Sequence, residues 1–156
     1  MILVKNSLFS FKLKRKNTTS PNPVAVNVVF FSFSESDRHF VLDIKHEVMD
    51  PHYTNLNFMV QDLMERLRTQ DPAIIRQIIA KAIKNSSRSI VFVGKDTYRD
   101  QWVEEEVKRT IAEKKPVYAI RIKGTHGLNP LFLTNNNIHI YPWHEENLQY
   151  LATRED

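Results

Sequence analysis

Ser89-Ile90-Val91-Phe92-Val93-Gly94 is an uninterrupted apolar run closed by glycine and flanked by turn-forming residues. A strand with one wet face alternates polar and apolar residues, whereas this run is apolar at successive positions, as a strand buried on both faces requires. The same composition recurs on either side of it. Val24 to Phe33 is rich in β-branched and aromatic residues, Pro116 to Ile122 repeats the pattern, and Leu56–Val60 and Ile138–Tyr141 supply two shorter candidates. Between these runs lie helical signals. Ser36 or Asp37 is placed to cap a helix running to about Val48, which Asp50-Pro51 ends. Asp71-Pro72 pairs an N-cap with a first-turn proline, and Ile74, Ile75, Ile78, Ile79, Ala82 and Ile83 follow at helical spacing. A third helix is expected over Gln101 to Lys114 and a short one from His144. Strands and helices in alternation predict a mainly parallel five-stranded sheet covered by helices on both faces.

The chain has 156 residues, 42% hydrophobic and 26% charged, which fits one globular domain with its own core. It contains no cysteine, so disulfides, thiolate nucleophiles and cysteine-ligated metals are excluded. A cytoplasmic setting is expected on that ground. Only three glycines occur, at 94, 124 and 127, which excludes a glycine-rich phosphate cradle. The net charge of +4 comes from 22 basic and 18 acidic residues. Lys5, Lys12, Lys14, Arg15 and Lys16 put +5 into residues 1–23, so the remainder carries 4 − 5 = −1. This segment reads as a basic extension and linker, with a short strand expected at Phe9, Phe11 and Leu13, and residues 24–156 read as the domain. The apolar start is interrupted by Lys5, far short of the ~20 residues of a membrane span. No membrane association is expected, and the near-neutral body offers no basic-aromatic platform for nucleic acid.

In open parallel sheets ligands bind beyond the carboxyl ends of the strands, here residues 32–37, 61–63, 94–98 and 123–129. Gly94-Lys95-Asp96-Thr97 imitates the end of a phosphate-binding loop, but Ser89 stands where the first glycine belongs. The six histidines are scattered without metal-ligand spacing, so no metal is expected. On the third helix the expected apolar stripe is Val103, Val107 and Ile111 with Thr110 beside them. Glu105 projects toward water, while Glu104 and Glu106 lie on the borders of the stripe. Two explanations stand for Glu106: an acid favoured by the positive end of the helix dipole, or a half-buried functional carboxylate.

Val29-Phe30-Phe31-Ser32-Phe33 followed by Asp37 resembles the opening strand and first loop of TIR domains. Ser89 to Gly94, then Thr97-Tyr98, then Trp102-Val103-Glu104-Glu105-Glu106, resembles the TIR strand–loop–helix whose Trp-x-x-x-Glu carries the catalytic glutamate of NAD-cleaving members. Pro116 to Ile122 resembles the strand that follows. The Phe-Phe-Ser-Phe opening, Gly94 in place of the usual strand-end serine, and His139-Ile140-Tyr141-Pro142-Trp143 are most similar to the TIR-like proteins of bacterial Thoeris antiphage defence. The likeness covers about residues 27–145. Residues 49–70 match poorly, the first loop lacks the arginines of some animal members, and residues 1–23 have no counterpart.

The resemblance implies a flavodoxin-like, TIR-like three-layer sandwich. It also implies cleavage of the nicotinamide–ribose bond of NAD, with NAD as substrate and no resident cofactor. Glu106 is then the catalytic carboxylate. Phe31, Ser32, Phe33, Asp37 and Asp62 are nucleotide-binding positions from the first two strands, joined by Gly94, Tyr98 and Trp102. The product expected is a cyclic ADP-ribose-type messenger received by a separate effector protein, with a phage-derived trigger and self-association. The rival expectation is a non-catalytic TIR-like adaptor in which Glu106 is an ordinary helix acid. Convergence of Glu106, Ser32 and the loop 94–98 on an open pocket favours the enzyme, and a closed site favours the adaptor.

Overall fold

A computed structural model describes residues 27–52, 56, 58–62 and 71–156. The basic extension, its expected strand and linker, and the expected start of the domain at Val24 lie outside the described residues. Five strands form one sheet: β1 Val28–Phe33, β2 Met59–Asp62, β3 Arg88–Val93, β4 Val117–Arg121 and β5 Ile140–Tyr141. All neighbours are parallel and the order is β2-β1-β3-β4-β5. This is the flavodoxin-like doubly wound order, with its switch point between β1 and β3. The helices are α1 Arg38–Met49, α2 Pro72–Lys84, α3 Gln101–Ala112, α4 Leu131–Thr134 and α5 Glu145–Thr153.

The period of two along each strand divides the core. Val29, Phe31, Phe33, Ile90 and Phe92 pack on one face against Val41 and Ile44 of α1 and Leu148 and Leu151 of α5. Val91 and Val93 pack on the other face with Val103 and Val107 of α3, and Phe30 with Ile79 and Ile83 of α2. Every residue of β3 is buried, the apolar run Ile90–Val93 as its composition demands and Arg88 and Ser89 ahead of it as well. Two caps set helix starts. The Asp71 carboxylate accepts from Ala73 N at 2.9 Å, and that of Asp100 from Trp102 N at 3.0 Å and Val103 N at 3.1 Å.

Four expectations are corrected. The second strand begins at Met59 rather than Leu56, because Leu56 and Phe58 are spent as buried packing residues ahead of the ladder. The fifth strand shrinks to two residues at the sheet edge. A 3-10 turn over Glu35–Asp37 precedes α1, and the Asp37 side chain makes no cap hydrogen bond. In α3 the buried face is Val103, Glu106, Val107 and Thr110, while Ile111 is exposed. The helix turns its polar groups inward because the strands beneath present hydroxyls, as described next. The four-residue α4 after Pro130 is too short to leave a periodic signal.

Candidate active site

Ser32 lies near the carboxyl end of β1 and faces α3. Its hydroxyl donates to the Glu106 carboxylate. Ser32 is 1% and Glu106 2% exposed, so the pair lies beneath the surface and not on the wall of an open cleft. A carboxylate taken out of water is costly unless hydrogen-bonded. One turn further along α3, the Thr110 hydroxyl donates to Glu106 O at 2.8 Å and pairs with the Ser89 hydroxyl at 2.7 Å. Two polar contacts, one to β1 and one to β3, therefore join α3 to the sheet amid apolar packing. Ser89 is the hydroxyl residue at the head of an apolar run and Thr110 the one beside an apolar stripe, and those two hydroxyls are the signal by which sequence could have paired them.

The loop after β3 is built around Gly94. Its N–H donates to the Thr97 hydroxyl at 2.9 Å, and Thr97 is fully buried, which folds residues 94–97 into a turn. Asp37, from the turn after β1, occupies the space in front of Gly94. A Cβ on residue 94 would meet the Asp37 carboxylate at 2.1–2.4 Å. On the far side Gly127 closes the loop, since a Cβ there would lie 2.7 Å from Gly94 O. Asp37 Oδ2 is buried without a hydrogen-bond partner. Burial first, then the charges of Asp96 and Asp100, raise the Asp37 pKa from 3.8 to about 6.

The remaining expected positions are distributed around these two centres. Phe31 and Phe33 point to the opposite face of the sheet from Ser32 and belong to the α1/α5 core. Phe31 packs edge-on to Phe92 with ring centroids 4.7 Å apart. Trp102 packs with Phe30 and Ile79, and the Arg76 guanidinium lies over its ring at 5.9 Å. Tyr98 is exposed on the loop with Arg99 over its ring. Asp62 ends β2 in register with Phe31. The structure thus brings Ser32 to Glu106 and Asp37 to Gly94, and it separates Phe31 and Phe33 from Ser32 by the thickness of the sheet. Gly127 and the Ser89–Thr110 contact are contributors that the sequence motifs did not single out, and Thr97, quoted in the TIR-like motif, contributes by holding Gly94.

Among the described residues no three His, Asp or Glu side chains group as a metal site, and no helix is long and apolar enough to cross a membrane. The TIR domain of the Toll-related receptor TRR-2 from Hydra magnipapillata superposes with a TM-score of 0.54 at 18% identity. That match covers 80% of this chain and 90% of that one, and at such identity the likeness is one of fold. The TIR domains of the activated Roq1 resistosome recognising the effector XopQ match with a TM-score of 0.48 at 18% identity, covering 80% and 69% of the two chains. No curated protein sequence matches. The family model described as Thoeris protein ThsB, TIR-like domain, matches residues 30–127, well over half of the chain. With the doubly wound parallel sheet and the strand-end loops in their expected places, the chain belongs to the TIR-like domain family of the Thoeris protein ThsB.

Proposed function

We propose that this protein is a cytoplasmic signalling enzyme of antiphage defence that cleaves the nicotinamide–ribose bond of NAD and makes a cyclic ADP-ribose-type messenger. The observation that supports this most is that the fold joins the serine of the Phe-Phe-Ser-Phe opening to the glutamate of the Trp-x-x-x-Glu spacing, near the carboxyl ends of the strands. In the proposed reaction the bond to nicotinamide breaks with its electron pair leaving on the already cationic ring. Glu106 stabilises the oxocarbenium character that develops on the ribose, as a carboxylate does in glycoside cleavage. Water, or a nitrogen of the same molecule, then forms the new bond. Because Ser32 covers Glu106 in this state, the Ser32 hydroxyl has to give way before ribose reaches the carboxylate. The trigger and self-association belong to that opening step, and a separate effector receives the product.

The test is incubation of the purified full chain with NAD, alone and with phage-infected lysate, following nicotinamide release and cyclic product by mass spectrometry. Turnover that disappears in Glu106→Gln supports the proposal. Its absence under both conditions, or its persistence in the variant, overturns it. A second reading is favoured by the closure of the pair: a non-catalytic adaptor whose Glu106 serves packing. In that case no nicotinamide appears, while Glu106→Gln assembles and signals like the parent.

A further inference from the structure

Arg88 opens the central strand β3 at its amino end, away from the strand-end loops, on the face covered by α5. It is a charged side chain buried to 8% exposure in the body of the domain. Its Nη1 donates to Leu151 O at 3.1 Å, and its Nη2 lies 3.4 Å from Asp156 Oδ2. Its Nε is buried and has no hydrogen-bond partner. Arg154 approaches from the end of α5, its Nε 3.5 Å from Asp156 Oδ1 and likewise buried without a hydrogen bond. Both guanidinium groups lie over the Tyr118 ring, that of Arg88 at 5.8 Å and that of Arg154 at 5.3 Å from its centroid. Its hydroxyl donates to Asp156 Oδ1.

Two guanidinium groups and a phenol thus converge on the Asp156 side chain, yet the Nε of each guanidinium is left buried without a hydrogen bond. Both guanidinium contacts to that side chain are also long for charge-assisted hydrogen bonds. A tetrahedral oxyanion carries more acceptors and more charge, and guanidinium groups match its geometry in forked pairs. We propose that Arg88, Arg154 and Tyr118 form a binding site for a phosphate group, and that Asp156 is its displaceable internal occupant. The site lies on the opposite face of the sheet from Ser32 and Glu106, toward the amino ends of the strands, and it is independent of NAD cleavage.

The test is calorimetric titration of the full chain with inorganic phosphate and with ribose 5-phosphate at constant ionic strength. Asp156→Asn removes the competing charge and should bind at least about tenfold more tightly than the parent, a gain of about 1.4 kcal/mol. Adding Arg154→Gln to Asp156→Asn should abolish that gain. Equal affinity in the parent and Asp156→Asn, or a gain that survives Arg154→Gln, overturns the proposal. Because phosphate also stabilises folds by exclusion from their surface, the difference between variants at one salt concentration is decisive. If Asp156→Asn unfolds, phosphate must restore its circular dichroism spectrum where chloride does not, and failure of that rescue also overturns the proposal. Tighter binding of ribose 5-phosphate than of phosphate identifies a phosphate ester as the ligand; the reverse order identifies the free ion.

Discussion

The carboxylate of Asp37 fills the volume in front of Gly94 that any side chain at position 94 would need. Gly94 is not held at positive φ, so the constraint is steric and not conformational. Gly94→Ala should therefore push the Asp37 carboxylate aside, and because that group is the end of a half-buried, rotatable side chain the loss should stay below about 1 kcal/mol, under the usual range for overpacking. Removing the obstructing carboxylate in Gly94→Ala/Asp37→Gly should recover a measurable part of that loss. Denaturant unfolding of the two single variants and the double one checks the coupling, and simple additivity counts against the contact.

The same carboxylate predicts how stability varies with pH. Its raised pKa means that the folded chain holds the Asp37 proton more tightly than the unfolded chain. Between 3.8 and about 6 the folded state therefore binds more protons, and the Asp37 contribution falls as pH rises through that window. Asp37→Asn should raise stability near pH 7.5 by about 1 kcal/mol, less than the full shift because water screens a half-exposed group. Near about pH 2.5, well below 3.8, the two proteins should be almost equal, since Asp37 is then protonated in both states. Melting curves of parent and variant across the window check it, and identical pH profiles refute it.

Glu106→Gln keeps an acceptor oxygen for the Ser32 hydroxyl, so the variant should fold with a stability close to that of the parent. Ser32→Ala instead removes one donor to the buried Glu106 carboxylate, at a cost of about 1–3 kcal/mol. Combining the two should cost less than the sum, because an amide tolerates the missing hydroxyl better than a carboxylate. A double-mutant cycle by urea unfolding measures this, and a coupling of zero would detach Ser32 from Glu106.

The Ser89–Thr110 pair gives a contrasting case, since both members are neutral hydroxyls. Thr110→Val preserves shape but strands the Ser89 hydroxyl, at an expected cost of about 1 kcal/mol or more. Removing both, in Ser89→Ala/Thr110→Val, should be milder than the single change. Thermal denaturation of the three variants decides, and a double variant that merely sums the singles shows the contact to be incidental.

Local chemistry made much of this fold legible before its structure. The run from Ser89 to Gly94 announces a strand buried on two sides, and Asp71-Pro72 starts a helix where the structure has one. The interior of α3 was harder to see. Helical spacing favours Ile111 over Thr110 for the buried face, and only the hydroxyls of Ser32 and Ser89 on the neighbouring strands reverse that preference. Likewise Asp37 has the composition of a cap, yet its carboxylate turns to the notch at Gly94, a contact between residues far apart in the chain. The Trp-x-x-x-Glu spacing singled out Glu106, but its depth beneath Ser32 is a property of the assembled layers and not of the motif.

β5 pairs with β4 through only two residues, Ile140 and Tyr141. A neighbouring chain that tried to extend the sheet at this side would find room for a rung or two of backbone hydrogen bonds, too few to repay the ordering of its own strand. Continuous strand-by-strand growth, the route by which sheet proteins become fibres, is therefore blocked at this border. Any multimer built there has to draw its specificity from side chains on helices and loops, where single substitutions can tune it.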